Sequence, residues 1–136
     1  MMRRAIPGFS RLFLGWSRPK IPIPGTGFAG EVVQIGKRVS LFQKGDLVFG
    51  ETGIRFSANA EYVCVEENGV VLTKPDNMTF AEAAPVCDGA LTSYNFLKNI
   101  AQIRPGQSIL INGASGSLGT AAVQLAKYSG AEVTGV

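Results

Sequence analysis

The run Ser108-Ile109-Leu110-Ile111-Asn112-Gly113-Ala114-Ser115-Gly116-Ser117-Leu118-Gly119, continued by an Ala/Val/Leu-rich stretch to Tyr128, decides how this chain folds. Residues 108–112 are a short apolar run entering a glycine cluster, the pattern of a strand covered on both faces. Behind the cluster, Leu118, Ala121, Ala122, Leu125 and Ala126 recur at helical spacing, which predicts a helix from about Ser117. Gly130 stands where a left-handed C-terminal cap is wanted, and residues 131–136 read as a second strand. Strand, glycine turn, helix and strand make the opening of a nucleotide-binding βαβ unit.

In such a turn the glycines have separate jobs. One lets the chain leave the strand sharply, one lets the backbone approach a pyrophosphate, and one lets the helix pack closely on the strand. The free N–H groups of the helix's first turn then point at the phosphates, helped by the helix dipole. The strict G-x-G-x-x-G spacing is not met: aligned on Gly116 and Gly119, its first position is Ala114, and the chain carries Gly113-x-x-Gly116-x-x-Gly119 instead. A glycine-rich βα turn with no ligand is the competing reading. A P-loop is excluded, because no Gly-Lys-Ser/Thr follows.

The chain has 136 residues, 46% of them hydrophobic and 17% charged, enough apolar content for a folded domain and too little charge for disorder. No apolar run is long enough for a membrane helix. The net charge of +3 is misleading, because Arg3, Arg4, Arg11, Arg18 and Lys20 precede the first acid, Glu31. The remaining eight basic residues face ten acidic ones, so the body offers no nucleic-acid surface. Histidine is absent. That removes a Ser-His-Asp triad, leaving Ser115 and Ser117 poor nucleophiles, and it removes histidine metal ligands. Cys64 and Cys87 alone complete neither a zinc site nor a disulfide framework, so a reducing cytoplasm is the default compartment.

Along the chain, Phe9, Leu12, Phe13 and Trp16 fall on one face of a short basic helix whose apolar side suits packing on the following domain. An Arg-rich, acid-free stretch of this kind also fits a mitochondrial presequence. Residues 21–25 are extended by their prolines. Strands are predicted at 31–35, 47–49, 62–65 and 70–72, separated by glycine turns, which indicates a small barrel or curled sheet. Cys64 reads as a small packed hydrophobe rather than a reactive thiol. Thr79 and Glu82 form a capping box for a helix running to about Cys87, breaking near Gly89 and resuming over 91–100.

Several of these segments together resemble the medium-chain dehydrogenase/reductase family. They are Gly25-Thr26-Gly27-Phe28-Ala29-Gly30-Glu31-Val32, Val33-x-x-Gly36, Phe42-x-x-Gly45-Asp46-x-Val48 with Gly50, Ala60-Glu61-Tyr62, Ala83-Ala84-Pro85, Thr92-Ser93-Tyr94, Pro105-Gly106 and residues 112–119. The likeness runs from about Arg11 to Val136 and is greatest to the zinc-independent, quinone oxidoreductase-like branch. Zinc alcohol dehydrogenases of the family carry Gly-His-Glu where Gly25-Thr26-Gly27 stands, so a ligand position holds Thr26; their four-cysteine lobe is missing too. The resemblance therefore implies no metal.

What it implies for fold is a mixed α/β chain: an incomplete GroES-like β-barrel domain over residues 1–78, then linking helices and the first βαβ elements of a Rossmann domain over 79–136. For chemistry it implies hydride transfer from NAD(P)H, with NADPH favoured, to a quinone, enone or similar small acceptor. By motif match, Ser115, Gly116, Ser117, Leu118 and Gly119 meet the pyrophosphate and Thr92 sits by the nicotinamide. Thr92 read alone is equally a helix hydroxyl bonded to its own backbone, and Tyr94 a half-buried aromatic. No residue is singled out as catalytic. The resemblance leaves room for a homodimer of the intact protein. The chain reads as a fragment that starts after the first strands of the catalytic domain and stops after the second strand of the nucleotide fold. Alone it is expected to be inactive as a reductase and aggregation-prone or loosely folded after Pro105. The alternative is a catalytically inactive binding or assembly module.

Overall fold

A computed structural model describes residues 22–136, and they divide into two compact units, the first ending at Phe80 and the second running from Ala81 to Val136. The basic helix predicted around Phe9–Trp16 lies outside the described residues. The first unit is a three-stranded antiparallel sheet in the order β1 (Gly27–Glu31), β2 (Leu47–Glu51), β3 (Val70–Thr73). Central β2 is covered on both faces, with Val48, Phe49 and Gly50 all buried. Phe28 of β1 pairs with Gly50 and Gly50 with Val71 of β3. A side chain at Gly50 would overlap the Val70 carbonyl and crowd the Phe28 ring, so glycine here lets an aromatic lie across the strand. Phe28, Val48 and Val71 form the core, with Val32, Phe42, Ala58 and Val63 packed against it.

The strands at 47–49 and 70–72 stand as predicted, each slightly longer. The other two do not form. In place of the strand predicted at 31–35, β1 occupies Gly27–Glu31 and stops where that strand was to begin. Val32 keeps one bridge, donating to Asp46 O (2.9 Å) and accepting from Gly45 N (2.8 Å), and beyond it Val33 and Ile35 are exposed. The reason is the partner: residues 43–46 form a turn, closed by Gln43 N donating to Asp46 Oδ2 at 2.8 Å, and offer no strand to pair with. Residues 62–65 likewise lack a ladder. Only Val63 reaches the core, while Tyr62, Cys64 and Val65 face outward. Cys64 is thus exposed rather than packed; the buried thiol is Cys87. Among the described residues the sheet is small, three strands, and not a closed barrel.

Polar contacts hold the connections. The Glu67 carboxylate accepts from Ser40 N (2.8 Å) and Leu41 N (3.0 Å), tying a long loop back to the β3 entry. Lys74 is buried after β3, with Nζ donating to Pro75 O (2.8 Å) and Met78 O (2.7 Å) and standing 5.6 Å from the Phe80 ring centre.

A short helix α1 (Phe80–Ala83) follows Thr79 directly, and the second unit continues with α2 (Val86–Tyr94), β4 (Ser108–Ile111), α3 (Ser117–Tyr128) and β5 (Glu132–Gly135). The predicted break near Gly89 is displaced. The helix interrupts at Ala84-Pro85, where proline lacks an N–H and strains the residue before it, and α2 passes straight through Gly89. After Tyr94 the helix widens over Asn95–Ile100, with Ala101 N donating to Phe96 O at 2.8 Å. β4 and β5 pair in parallel, Ile109 opposite Val133 and Ile111 opposite Gly135. Leu97, Ile111 and Ala126 are the core here, joined by Ile109, Ala122, Val123, Leu125 and Val133. Leu110 is 66% exposed, so β4 is covered on one face among the described residues rather than two. α3 ends as predicted: Gly130 has φ +79°, Gly130 N bonds Lys127 O (2.9 Å) and Ala131 N bonds Ala126 O (3.1 Å).

Candidate functional site

The turn between β4 and α3 is built from three glycines that the protein uses differently. Gly113 has φ +73°, which turns the chain off the strand, while its N–H and that of Ala114 both donate to Val136 O (2.8 and 3.0 Å). Gly119 is buried, and a Cβ there would overlap the Gly113 carbonyl and the Ala114 backbone, so its hydrogen lets α3 lie against the turn. Gly116, the residue capping α3, has φ −78° and ψ 173°, which any residue adopts. A Cβ on it would meet nothing closer than the Gly113 oxygen, at 3.4 Å. Neither conformation nor internal packing requires glycine at 116, and it is exposed.

Around Gly116 the backbone donors are open. Thr120 N returns to Gly116 O (2.8 Å), but the N–H groups of Ser117, Leu118 and Gly119 have no acceptor among the described residues, and no side chain there caps the helix. The first turn of α3 contains no acidic residue to neutralise its positive end. Ser115, Gly116, Ser117 and Leu118 are exposed around this opening, and Gly119 forms its floor. Leu118, expected on the inward helical face, is thus 46% exposed. An open groove runs from Ala114 along Thr120, Gln124 and Lys127 of α3 to Val133 and Gly135 of β5.

Thr92 lies on α2, half-buried, and its hydroxyl is not back-bonded to the helix. Tyr94 is 48% exposed and remains on the surface. The hydroxyl that does bond is the next one: Ser93, 3% exposed, donates from Oγ to Leu118 O at 2.8 Å. One turn earlier, Gly89 lies so close to α3 that a Cβ would stand 2.8 Å from both Ser117 O and Ser117 Oγ. Sequence reasoning missed both positions. The signal was there in Gly89, since a glycine inside a helical pattern marks close packing as readily as a break. Among the described residues no group of three or more His, Cys, Asp or Glu side chains is arranged to hold a metal.

Comparison with known proteins agrees with this architecture. Residues 8–76 match the family model described as the alcohol dehydrogenase GroES-like domain. A quinone oxidoreductase-like protein 2 homolog from Nematostella vectensis is 38% identical over 120 residues, covering 87% of this chain and 32% of its own length. The 2-methylene-furan-3-one reductase of Solanum lycopersicum is 37% identical over 123 residues, covering 85% of this chain and 31% of its own length. The structure of the quinone oxidoreductase from Coxiella burnetii superposes with a TM-score of 0.80 at 32% identity, over 94% of this chain and 40% of the other. The chain belongs to the medium-chain dehydrogenase/reductase family of NAD(P)H oxidoreductases, in its zinc-independent, quinone oxidoreductase-like branch. It spans about a third of the length of the curated relatives it matches.

Proposed function

We propose that the full-length protein reduces a quinone, enone or similar small acceptor with hydride from NAD(P)H, and that the turn after β4 holds the cofactor's pyrophosphate. The observation that carries this reading is Gly116: a glycine that neither backbone conformation nor packing requires, at the uncapped positive end of α3. An approaching phosphate supplies the missing reason, because a side chain there would stand between the anion and the amides. Ser117, Leu118 and Gly119 contribute free N–H groups, Ser115 and Ser117 exposed hydroxyls, and Gly116 the clearance. On the family resemblance we assign Thr92 a position beside the nicotinamide; its hydroxyl is not bonded to the helix backbone. NADPH is favoured over NADH by the same resemblance.

When bound, the dihydronicotinamide supplies the hydride, and the acceptor completes its reduction with a proton. The names of the relatives point to quinones and to an enone as acceptor chemistry. We place the activity in the cytoplasm, without a nucleic-acid or membrane partner; no described helix is long and apolar enough to cross a membrane.

The test is Gly116→Val. Its φ suits valine and a Cβ there has room, so the variant is expected to fold. Affinity for NADPH, followed by fluorescence titration of the full-length protein, falls tenfold or more, equivalent to roughly 1.4 kcal/mol. Unchanged affinity in the folded variant overturns the assignment of the turn as the phosphate cradle.

A further inference from the structure

We infer that Ser93 and Gly89 of α2 are positioning residues for the cofactor: they set where the first turn of α3 stands, and so how well its amides meet a pyrophosphate. This rests on the functional reading above and adds two residues that do not themselves face the ligand.

Two independent contacts join α2 to that turn. Ser93 Oγ donates to Leu118 O at 2.8 Å from a side chain only 3% exposed. Gly89 has its Cα face directly against Ser117, where a methyl group would stand 2.8 Å from the carbonyl oxygen and the hydroxyl. Both land on residues whose N–H groups are open, Ser117 and Leu118, and on their carbonyls rather than on those donors. The arrangement has a chemical logic. A peptide plane is rigid, so holding the carbonyl of Leu118 fixes the orientation of the Gly119 N–H in the same plane. Holding the carbonyl of Ser117 at the Gly89 face fixes the plane that carries the Leu118 N–H in the same way. α2 therefore sets the aim of two of the three donors and occupies none of them.

The contact is also stiff. Ser93 sits near the end of α2, buried, with its oxygen committed to one acceptor, so the bond is made in a water-poor setting where hydrogen-bond geometry is well enforced. The turn is also held by backbone bonds, Gly113 N and Ala114 N to Val136 O, Gly116 N to Gly113 O at 3.0 Å and Thr120 N to Gly116 O at 2.8 Å, and by the Thr120 hydroxyl bonding back to Gly116 O and Ser117 O. Among the described residues, Ser93 supplies the one side-chain bond to the turn from outside the β4–α3 segment.

The experiment compares wild type, Ser93→Ala and Gly89→Ala in the full-length protein, measuring NADPH dissociation constants by fluorescence titration, cofactor and acceptor KM values with a simple quinone, and thermal stability. Ser93→Ala deletes the bond without adding volume; the expected result is a cofactor dissociation constant and KM raised about fivefold, the worth of one hydrogen bond. The acceptor KM is expected to stay within about twofold, since Ser93 is buried and its hydroxyl is committed to the turn. Gly89→Ala, which pushes the turn, raises the cofactor constant at least as far. A merely structural role lowers the melting temperature and the folded fraction but leaves the dissociation constant of the folded protein where it was. That result in Ser93→Ala overturns the inference, while a weakened Gly116→Val leaves the functional reading standing. Wild-type protein that binds no NADPH overturns both.

Discussion

Gly113, Gly116 and Gly119 lie three residues apart, and one substitution made at two of them should have opposite results. Alanine at Gly119 drives a methyl group into the Gly113 carbonyl and the Ala114 backbone, with no flexible side chain to give way. The helix must lift from the turn, and the expected loss is about 3 kcal/mol, the upper range for overpacking. Alanine at Gly116 meets nothing closer than 3.4 Å and should stay within about 0.5 kcal/mol of wild type. Chemical denaturation of both variants checks this; equal stabilities would mean that α3 does not pack on the turn as described. The glycine spacing was legible in the sequence, but not which glycine serves which purpose, because that depends on φ and on what stands opposite. The same holds for Thr92-Ser93: sequence drew attention to the threonine, and the geometry gave the buried bond to the serine.

The predicted strands that find a neighbour to pair with formed, those at 47–49 and 70–72 included, and those at 31–35 and 62–65, which beyond Glu31 have no strand beside them, did not. β4, α3 and β5 form a local unit in which apolar period, glycine turn and C-terminal cap agree, and their bounds fall within a residue or two of expectation. Residues 32–35 and 62–65 carry the same β-branched and aromatic character, yet no strand runs beside them, and β-propensity without a partner makes no ladder. β1 shows the reverse: two glycines in five residues argue against a strand, and pairing with β2 overrides them. What organises the unladdered loop is Glu67. The Leu41 amide first, and the Ser40 amide second, hold its carboxyl below the ordinary carboxylate value by bonding to the charged form. A depressed folded-state value means the clasp is fully present above the ordinary carboxylate range and is lost as pH falls through Glu67's own lower value. Amide exchange at Ser40 and Leu41 should therefore be slow near neutrality and lose protection at strongly acid pH. In Glu67→Gln that acid step should vanish; if it persists, another group controls the loop.

At the scale of the whole molecule, the described chain has two cores with no member in common. Phe28, Val48 and Val71 serve the antiparallel sheet, and Leu97, Ile111 and Ala126 serve the helices and the parallel pair. Each is small, so each unit's stability rests on few side chains. Ile111 is the place to test this, because it is buried on β4 against α3, and truncating it leaves a cavity. Ile111→Ala should cost the second unit about 2–5 kcal/mol. Hydrogen exchange resolves where the loss falls. If the units open separately, amides in β4, α3 and β5 lose protection, while Val48 and Phe49 in β2 keep theirs within about 0.5 kcal/mol, as expected for sites without shared partners. Equal loss in both places would show one cooperative fold and exclude independent cores. The outcome bears on function as well, since a cradle on a separately opening unit binds NADPH with an affinity scaled by the fraction of time that unit is closed. In Ile111→Ala the apparent cofactor affinity should fall once the closed fraction drops, and adding NADPH should restore protection to β4 and α3 by mass action.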